Sequence, residues 1–133
     1  MSVAPAVGII LVSHSAELAA GTANLAAQVS GGTVTIIAAG GTDDGDLGTS
    51  AAKVAAGLRH ADQGAGVVVL PDLGSAVLTV RAVLEDRKGA TAVLVADAPF
   101  VEGAVAATVT AAARGDVKAV AAAAEEARHV RKL

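Results

Sequence analysis

The sequence predicts an α/β fold in which helices cover both faces of a four-stranded, mainly parallel sheet. Segments with the pattern of a buried strand alternate strictly with segments of helical periodicity, in the order β-α-β-α-β-α-β-α-α. Such alternation is typical of parallel sheets with helical crossovers. With four strands we predict a doubly wound, three-layer α/β/α arrangement with strand order 2-1-3-4. In that order the crossovers reverse direction between strands one and three.

Four short apolar runs predict the strands, because unbroken β-branched and aliphatic residues are typical of strands buried on both faces. These runs are residues 7–12, 33–39, 65–70 and 91–96. Apolar residues at helical spacing predict five helices between and after them. The predicted helices are residues 17–29, a second from 51 to about 60, then 76–86, 101–113, and a last helix from 117 to about 130. The predicted N-caps are Ser15 for the first helix, either Thr49 or Ser50 for the second, and Asp116 for the last.

Length and composition predict one domain spanning residues 1–133. The chain is 53% hydrophobic, with net charge −3, a single aromatic residue and no cysteine. It therefore lacks the basic footprint and stacking side chains of nucleic-acid-binding proteins. Without cysteine there is no disulfide or thiolate site. No apolar run reaches the roughly 20 residues that span a bilayer, and no signal peptide is visible, so we expect a cytoplasmic protein without a membrane segment.

His14 is the candidate reactive residue. It lies between Ser13 and Ser15, after the first predicted strand and before the first helix. In doubly wound sheets ligands bind beyond the carboxyl ends of the strands, at the point where the crossovers diverge. The N-terminus of a helix there favours an anion such as a phosphoryl group. We interpret His14 as a residue that carries a phosphoryl group, although a lone histidine after a strand can also be an ordinary surface residue.

Phosphohistidine chemistry needs a group that orients the ring and donors that meet the charge on the phosphoryl oxygens. Asp72 follows the third predicted strand and is the candidate orienting carboxylate, although an aspartate there can also serve only to start a turn. The glycine-rich loop after strand two, residues 40–49, can fold over the same place. The predicted phosphoryl-binding residues are Ser13, Ser15, Gly41, Thr42, Thr49, Gly74 and Ser75. Thr49 and Ser75 can alternatively act only as helix caps.

Other site chemistries find little support. The three histidines, His14, His60 and His129, share no metal-ligand spacing, so we predict no metal site. The aspartates of the loop at residues 43–46 lack the pattern of a calcium-binding loop. The chain has no Walker A motif and no G-x-G-x-x-G after its first strand. A phosphoryl-handling protein without its own nucleotide site is more consistent with a relay than with a kinase.

Four motifs resemble, in order and spacing, one known family. They are Val12-Ser-His-Ser15, Gly40-Gly-Thr-Asp-Asp-Gly45 followed by Gly48-Thr49, Pro71-Asp-Leu-Gly-Ser-Ala76, and Ala98-Pro-Phe-Val-Glu-Gly103. The family is that of the phosphotransferase subunits of PTS-dependent dihydroxyacetone kinases, DhaM, whose first domain is of the mannose-class enzyme IIA type. The resemblance extends from Val7 to about Ala124. The Asp-Leu-Gly-Ser and Val-Glu-Gly stretches resemble the dihydroxyacetone branch more than the mannose-transporter domains.

The resemblance implies a phosphoryl relay. The family's phosphorylated histidine corresponds to His14, with the tele nitrogen as the acceptor, and its orienting aspartate corresponds to Asp72. Phospho-HPr would donate the phosphoryl group, and ADP bound on the DhaL subunit would receive it for transfer to dihydroxyacetone on DhaK. Magnesium and ADP would belong to DhaL, so no cofactor is expected on this chain. The family also implies a homodimer, and the length implies a single-domain form that needs a separate HPr.

Two other interpretations remain open at this stage. A mannose-type IIA module, or the IIA domain of a sugar transporter, can signal through its phosphorylation state without acting as this relay. A hydrolase that uses a serine with His14 and Asp72 is a weaker alternative, because the chain has no G-x-S-x-G motif and the flanking serines are poorly placed for attack.

Overall fold

A computed structural model describes residues 4–133, and its central feature is a four-stranded parallel sheet with strand order β2-β1-β3-β4. The strands are β1 (Gly8–Ser13), β2 (Ile36–Gly40), β3 (Val67–Pro71) and β4 (Val93–Val95). The helices are α1 (Ala16–Ser30), α2 (Ala51–Ala61), α3 (Gly74–Asp86), α4 (Phe100–Ala112) and α5 (Val117–Glu126), followed by a 3₁₀ turn at Ala127–His129. The predicted fold class and strand order are confirmed.

Alternate residues of the strands divide the core into two layers. Ile9 and Leu11 of β1 face a cluster formed with helices α1, α4 and α5. Ile10 and Val12 face a second cluster formed with α2 and α3. β1 is buried on both faces because it lies between β2 and β3, which is why it is an unbroken apolar run.

Capping residues set most helix starts where the sequence predicts them. Ser15 caps α1 by accepting a hydrogen bond from the Leu18 N–H at 3.1 Å, and Asp116 caps α5. Of the two candidates for α2, Ser50 is the cap. Each of these side chains accepts from an N–H that has no partner within its helix.

Several predicted boundaries differ from the structure. β2 begins at Ile36, because Thr33 bonds the Ser30 carbonyl at 2.9 Å and the segment before Ile36 closes the turn after α1. β4 spans only three residues at the sheet edge. α5 ends at Glu126, because the Arg128 side chain takes the Glu125 carbonyl and the last turn tightens to 3₁₀ bonding.

The start of α3 is a further difference, and it bears on the site. The helix was predicted to begin at Ala76 but begins at Gly74, and its N-cap residue, Leu73, makes no side-chain cap bond. Ser75 therefore lies inside the first turn. Its hydroxyl does not cap this helix and is available for contacts outside it. Within residues 4–133 no helix has the length and hydropathy needed to cross a membrane.

We predict that Gly8→Ala lowers the free energy of unfolding by about 2 kcal/mol. A Cβ on Gly8 would overlap the carbonyl oxygen of Ala61, so β1 and α2 would have to separate. Gly21→Ala is the matched control, because nothing lies within 4 Å of the added methyl group on α1. The control should gain about 0.5–1 kcal/mol from helix propensity. Urea unfolding of the two variants measures both values, and equal stabilities would contradict this packing.

Candidate functional site

The pairing of β1 with β3 brings the two predicted key residues together. The strands run parallel with Leu11 opposite Leu70 and Val12 opposite Pro71. The Asp72 N–H then donates to the Val12 carbonyl at 2.9 Å and extends the ladder by one residue. The chain leaves β1 toward α1 on one face of the sheet and leaves β3 toward α3 on the other. His14 and Asp72 thus meet at the predicted crevice between the two strands.

The Asp72 carboxylate is the centre of the site. Its Oδ1 lies 3.0 Å from the His14 ring Nδ1 and accepts the Leu73 N–H at 2.7 Å. Its Oδ2 accepts the His14 backbone N–H and the Ser13 hydroxyl, each at 3.0 Å. Burial by itself raises the pKa of the Asp72 carboxyl, but hydrogen bonds from His14, Ser13 and Leu73 outweigh it and hold the pKa below its usual value. The carboxylate is therefore ionised at neutral pH.

This carboxylate fixes the tautomer of His14. An ionised carboxylate can only accept, so in the neutral imidazole the proton lies on Nδ1 and the Nε2 atom holds the lone pair. The Ser75 hydroxyl lies 2.8 Å from Nε2 and donates to that lone pair. The His14 side chain is 26% exposed, against 8% for Asp72. The His14 ring is therefore partly open to solvent, while the carboxylate that bonds it is nearly covered.

The glycine-rich loop after β2 packs on the backbone of the same segment. The Gly48 N–H donates to the His14 carbonyl at 2.9 Å, and the Gly41 N–H donates to the Ser13 carbonyl at 3.1 Å. Gly41 has φ of +76°, a conformation that favours glycine. Thr49 bonds the hydroxyl of Thr79 on α3 at 2.6 Å. The loop thus links the end of β1 to the helix that carries Ser75.

The predicted phosphoryl-binding residues separate into those at the His14 ring and those whose side-chain oxygens bond the backbone of their own segment. Ser75 touches the ring, and Gly74 opens α3 beside it. Ser15 follows His14 in the chain, and its side-chain oxygen accepts the α1 cap bond. Thr42 closes its own loop by accepting the Asp46 N–H at 3.0 Å.

Ser13 makes contacts that the sequence analysis did not predict. Its side chain is fully buried, donates to Asp72 and accepts the Ser15 N–H at 3.0 Å. Its hydroxyl therefore supports the carboxylate that bonds the His14 ring. The sequence does not show whether a side chain at the end of a strand faces the interior or the solvent.

Two residues were missed by the sequence analysis. Thr79 lies four residues after Ser75 and so on the same side of α3, a spacing that could have indicated it. Lys53 donates to the Gly40 carbonyl at 2.9 Å, a contact between α2 and the end of β2 that has no local sequence signal. His60 and His129 are exposed, and within residues 4–133 neither bonds His14, Asp72 or Ser75. Among residues 4–133, no group of three or more His, Cys, Asp or Glu side chains is placed to hold a metal ion.

A comparison with protein-family models matches residues 8–121 to EIIA-man, described as the PTS system fructose IIA component. The chain belongs to the EIIA-man family. The match covers the sheet, His14, Asp72 and the loop at residues 41–49. The resemblance stated from the motifs is therefore confirmed, and the fold around the site is that of the family.

Similar proteins carry related names. A Listeria innocua protein, "PEP-dependent dihydroxyacetone kinase 2, phosphoryl donor subunit DhaM", is 37% identical over 77% of this chain and 84% of its own length. The Escherichia coli K12 phosphoryl donor subunit DhaM is 37% identical over 86% of this chain, which spans 25% of that protein. A solved structure, "Crystal structure of unknown function protein EF1359", superposes with a TM-score of 0.81 at 32% identity, over 91% of this chain and 94% of that one.

We predict that Asp72→Asn lowers the free energy of unfolding at pH 7 by about 2 kcal/mol, because an amide cannot accept all four hydrogen bonds. Since the folded pKa of Asp72 is depressed, its contribution is complete above the unfolded value of about 3.9 and is lost as the pH falls through the folded pKa. The difference between wild type and variant should therefore shrink below about pH 4.

Urea unfolding at pH 7 and pH 3 measures this change. Asp44→Asn removes one charge from the exposed part of the loop and is the control, with an expected effect within about 0.5 kcal/mol at pH 7. A wild-type advantage over Asp72→Asn that is equally large at both pH values would show that the four bonds do not depend on the carboxylate charge.

Proposed function

We propose that this protein is a phosphohistidine relay that accepts a phosphoryl group on His14 from phospho-HPr and passes it to ADP bound on a DhaL subunit. The observation that carries the proposal is the position of the proton on the His14 imidazole. Asp72 holds the proton on Nδ1 and leaves the Nε2 lone pair at the surface. The names of the similar DhaM proteins support the phosphoryl donor role.

The first step is an exchange of one N–P bond for another. The Nε2 lone pair of His14 forms a bond to phosphorus while the bond to the donor nitrogen of HPr breaks, and its electron pair returns to that nitrogen. Because Nδ1 keeps its proton, the phosphorylated ring takes on positive charge. The adjacent Asp72 carboxylate offsets that charge, as a buried carboxylate does for an imidazolium in other enzymes. The geometry therefore favours Nε2, the tele nitrogen, as the acceptor.

Ser75 and the helix termini would receive the incoming group. The Ser75 hydroxyl, 2.8 Å from Nε2 in the resting state, can turn its proton from the lone pair to a phosphoryl oxygen. α1 and α3 both begin beside His14, at Ala16 and Gly74, and the N-terminal ends of their dipoles favour negative charge. Ser15 remains a further hydroxyl at the same helix start.

The second step reverses the first with a different acceptor. A β-phosphate oxygen of ADP forms a bond to phosphorus, the N–P bond breaks, and its electron pair returns to Nε2. The nucleotide and its magnesium would be held by DhaL, and the ATP formed there would phosphorylate dihydroxyacetone on DhaK. No Lys or Arg is among the hydrogen-bond partners of His14, Asp72 and Ser75 in the described chain. The phosphoryl charge is therefore left without a cation here, which favours transfer onward.

We further propose that the chain forms a homodimer.

A regulatory IIA module or the IIA domain of a sugar transporter is the second candidate. The family description, a fructose IIA component, favours it. Both candidates would be phosphorylated at His14 by HPr, so phosphorylation does not separate them. ATP formation on a DhaL–ADP complex does, because it requires the second step. Phosphorylated protein that forms no ATP there would favour the regulatory candidate.

We predict that His14→Ala abolishes labelling by enzyme I, HPr and phosphoenolpyruvate, because Nε2 is the bond-forming atom. Intact-mass analysis should show one added phosphoryl group on the wild-type chain and none on the variant. His60→Ala is the matched control, since it removes an exposed histidine from the end of α2 and should retain the label. A label that remains on His14→Ala would place the chemistry on another residue.

We predict that Asp72→Asn slows phosphorylation of His14 by at least about 100-fold, because the ring tautomer and the positive charge of the product both lose their partner. Ser75→Ala should slow it by about tenfold, the effect of losing one hydrogen bond to a charged group. Rapid-quench rates at saturating phospho-HPr measure both. Ser75→Thr keeps the hydroxyl and should restore most of the rate. Equal rates for the alanine and threonine variants would show that the Ser75 hydroxyl takes no part in the transfer.

A further inference from the structure

Ser75, His14 and Asp72 form a single hydrogen-bonded chain, from hydroxyl to imidazole to carboxylate. The Ser75 hydroxyl lies 2.8 Å from Nε2 of His14, and Nδ1 of the same ring lies 3.0 Å from Oδ1 of Asp72. The same order of groups at hydrogen-bond distance activates a serine as a nucleophile in hydrolases. The three residues therefore have the arrangement of a Ser-His-Asp triad.

The protons in this chain are placed for attack by Ser75. The ionised Asp72 carboxylate keeps the ring proton on Nδ1, so Nε2 can accept the proton of the Ser75 hydroxyl. The positive ring that results lies against a carboxylate that offsets its charge. The serines next to His14 in the sequence are engaged elsewhere, since Ser13 is buried against Asp72 and Ser15 caps α1.

Ser75 also lies where a small molecule can reach it. β3 ends at Pro71 and α3 begins at Gly74, so Ser75 follows a tight strand-to-helix turn, the setting of the nucleophile in α/β-hydrolases. Ser75 is exposed, and apart from its chain neighbours nothing lies within 4 Å of a Cβ built on Gly74. A substrate can therefore approach the hydroxyl from solvent without displacing other side chains.

The first turn of α3 offers donors for the negative charge that develops on a carbonyl oxygen under attack. The first N–H groups of a helix have no partner within it, and the N-cap residue Leu73 makes no side-chain cap bond. The N–H groups of Gly74 and Ser75 are therefore not taken up by a cap. Backbone donors at such a position stabilise the tetrahedral intermediate of acyl transfer.

The surroundings favour small and neutral substrates. Cavities of about 330, 430, 480 and 650 Å³ occur within residues 4–133, and neither Ser75 nor His14 lines any of them. A long acyl chain would gain no enclosure from these cavities. No Lys or Arg bonds His14, Asp72 or Ser75 in the same part of the chain, so a negatively charged ester would find no cation bonded to the site.

We propose that Ser75, His14 and Asp72 act as a catalytic triad that cleaves small, neutral, activated esters, with Ser75 as the nucleophile and His14 as the general base. The inference follows from the geometry of the unphosphorylated ring and does not rest on the proposed function. A phosphoryl group on Nε2 would occupy the lone pair that must accept the Ser75 proton. The two chemistries of His14 therefore exclude each other at any one moment.

The reaction is a double displacement at the acyl carbon. The Ser75 Oγ forms a bond to the carbonyl carbon, its proton moves to Nε2 of His14, and the carbonyl oxygen takes the displaced electron pair. The intermediate then collapses, the bond to the leaving alcohol breaks, and that alcohol takes the proton from Nε2. A water molecule, deprotonated by the same nitrogen, attacks the acyl-serine, releases the carboxylic acid and restores the hydroxyl.

Two probes test this triad, p-nitrophenyl acetate as the ester and diisopropyl fluorophosphate as a reagent that bonds to activated serines with loss of fluoride. The wild-type chain should release nitrophenolate in a burst and carry one acetyl group, which peptide mapping places on Ser75. The fluorophosphate should mark the same residue. Ser75→Ala and His14→Gln should each slow acylation at least about 100-fold.

Ser30→Ala is the matched control, because it removes a hydroxyl that bonds a carbonyl of its own helix at the end of α1. This variant should be acylated at the wild-type rate. The exposed position of Ser75 allows its replacement by alanine without loss of packing, and urea unfolding of Ser75→Ala checks that the fold is retained.

Imidazole can itself attack an activated ester, and the outcomes separate that reaction from the triad. An acetyl group on His14 with an undiminished rate in Ser75→Ala would overturn the proposal, since the ring would then be the nucleophile. A wild-type rate no higher than that of free imidazole at equal concentration would also overturn it. Labelling of His14 by phospho-HPr is measured separately, so failure of the triad is distinguishable from failure of the relay.

Discussion

The hydrogen bonds to the Asp72 carboxylate are the constraint on which the site depends. They come from the end of β1, through Ser13 and His14, and from the start of α3, through Leu73. A nearly buried carboxylate is stable as an anion only if such donors are present. Once they are, the same anion determines where the ring proton lies. Structural stability and the reactivity of Nε2 therefore have one origin.

Small residues allow the surrounding elements to approach closely enough for this arrangement. A Cβ on Gly40 would lie 2.5 Å from the Ser15 carbonyl oxygen, so only glycine lets β2 end against the start of α1. The loop that follows is then able to bond the His14 and Ser13 carbonyls from the side. The alanine- and glycine-rich composition is thus connected to the site as well as to the core.

The groups beside His14 bear on how the proposed phosphoryl group would be held. The Ser75 hydroxyl lies at Nε2, α1 and α3 begin next to the ring, and the Asp72 carboxylate bonds Nδ1 on its other side. Under the proposed function, a phosphoryl group on Nε2 would meet helix dipoles, and no Lys or Arg bonds His14, Asp72 or Ser75 within residues 4–133. Such an environment would accept the group without holding it strongly.

Local patterns in the sequence determined the elements, because strands buried on both faces and amphipathic helices each have their own periodicity, and Ser15 and Asp116 have the chemistry of caps. They also predicted the strand order and hence the meeting of His14 with Asp72. The tertiary structure alone decided which way short polar side chains face. Ser13 bonds the Asp72 carboxylate, Ser75 bonds the His14 ring from the first turn of α3, and Thr79 bonds Thr49 of the loop. Each of these contacts joins residues about 30 to 60 positions apart, so no local pattern in the sequence encodes it.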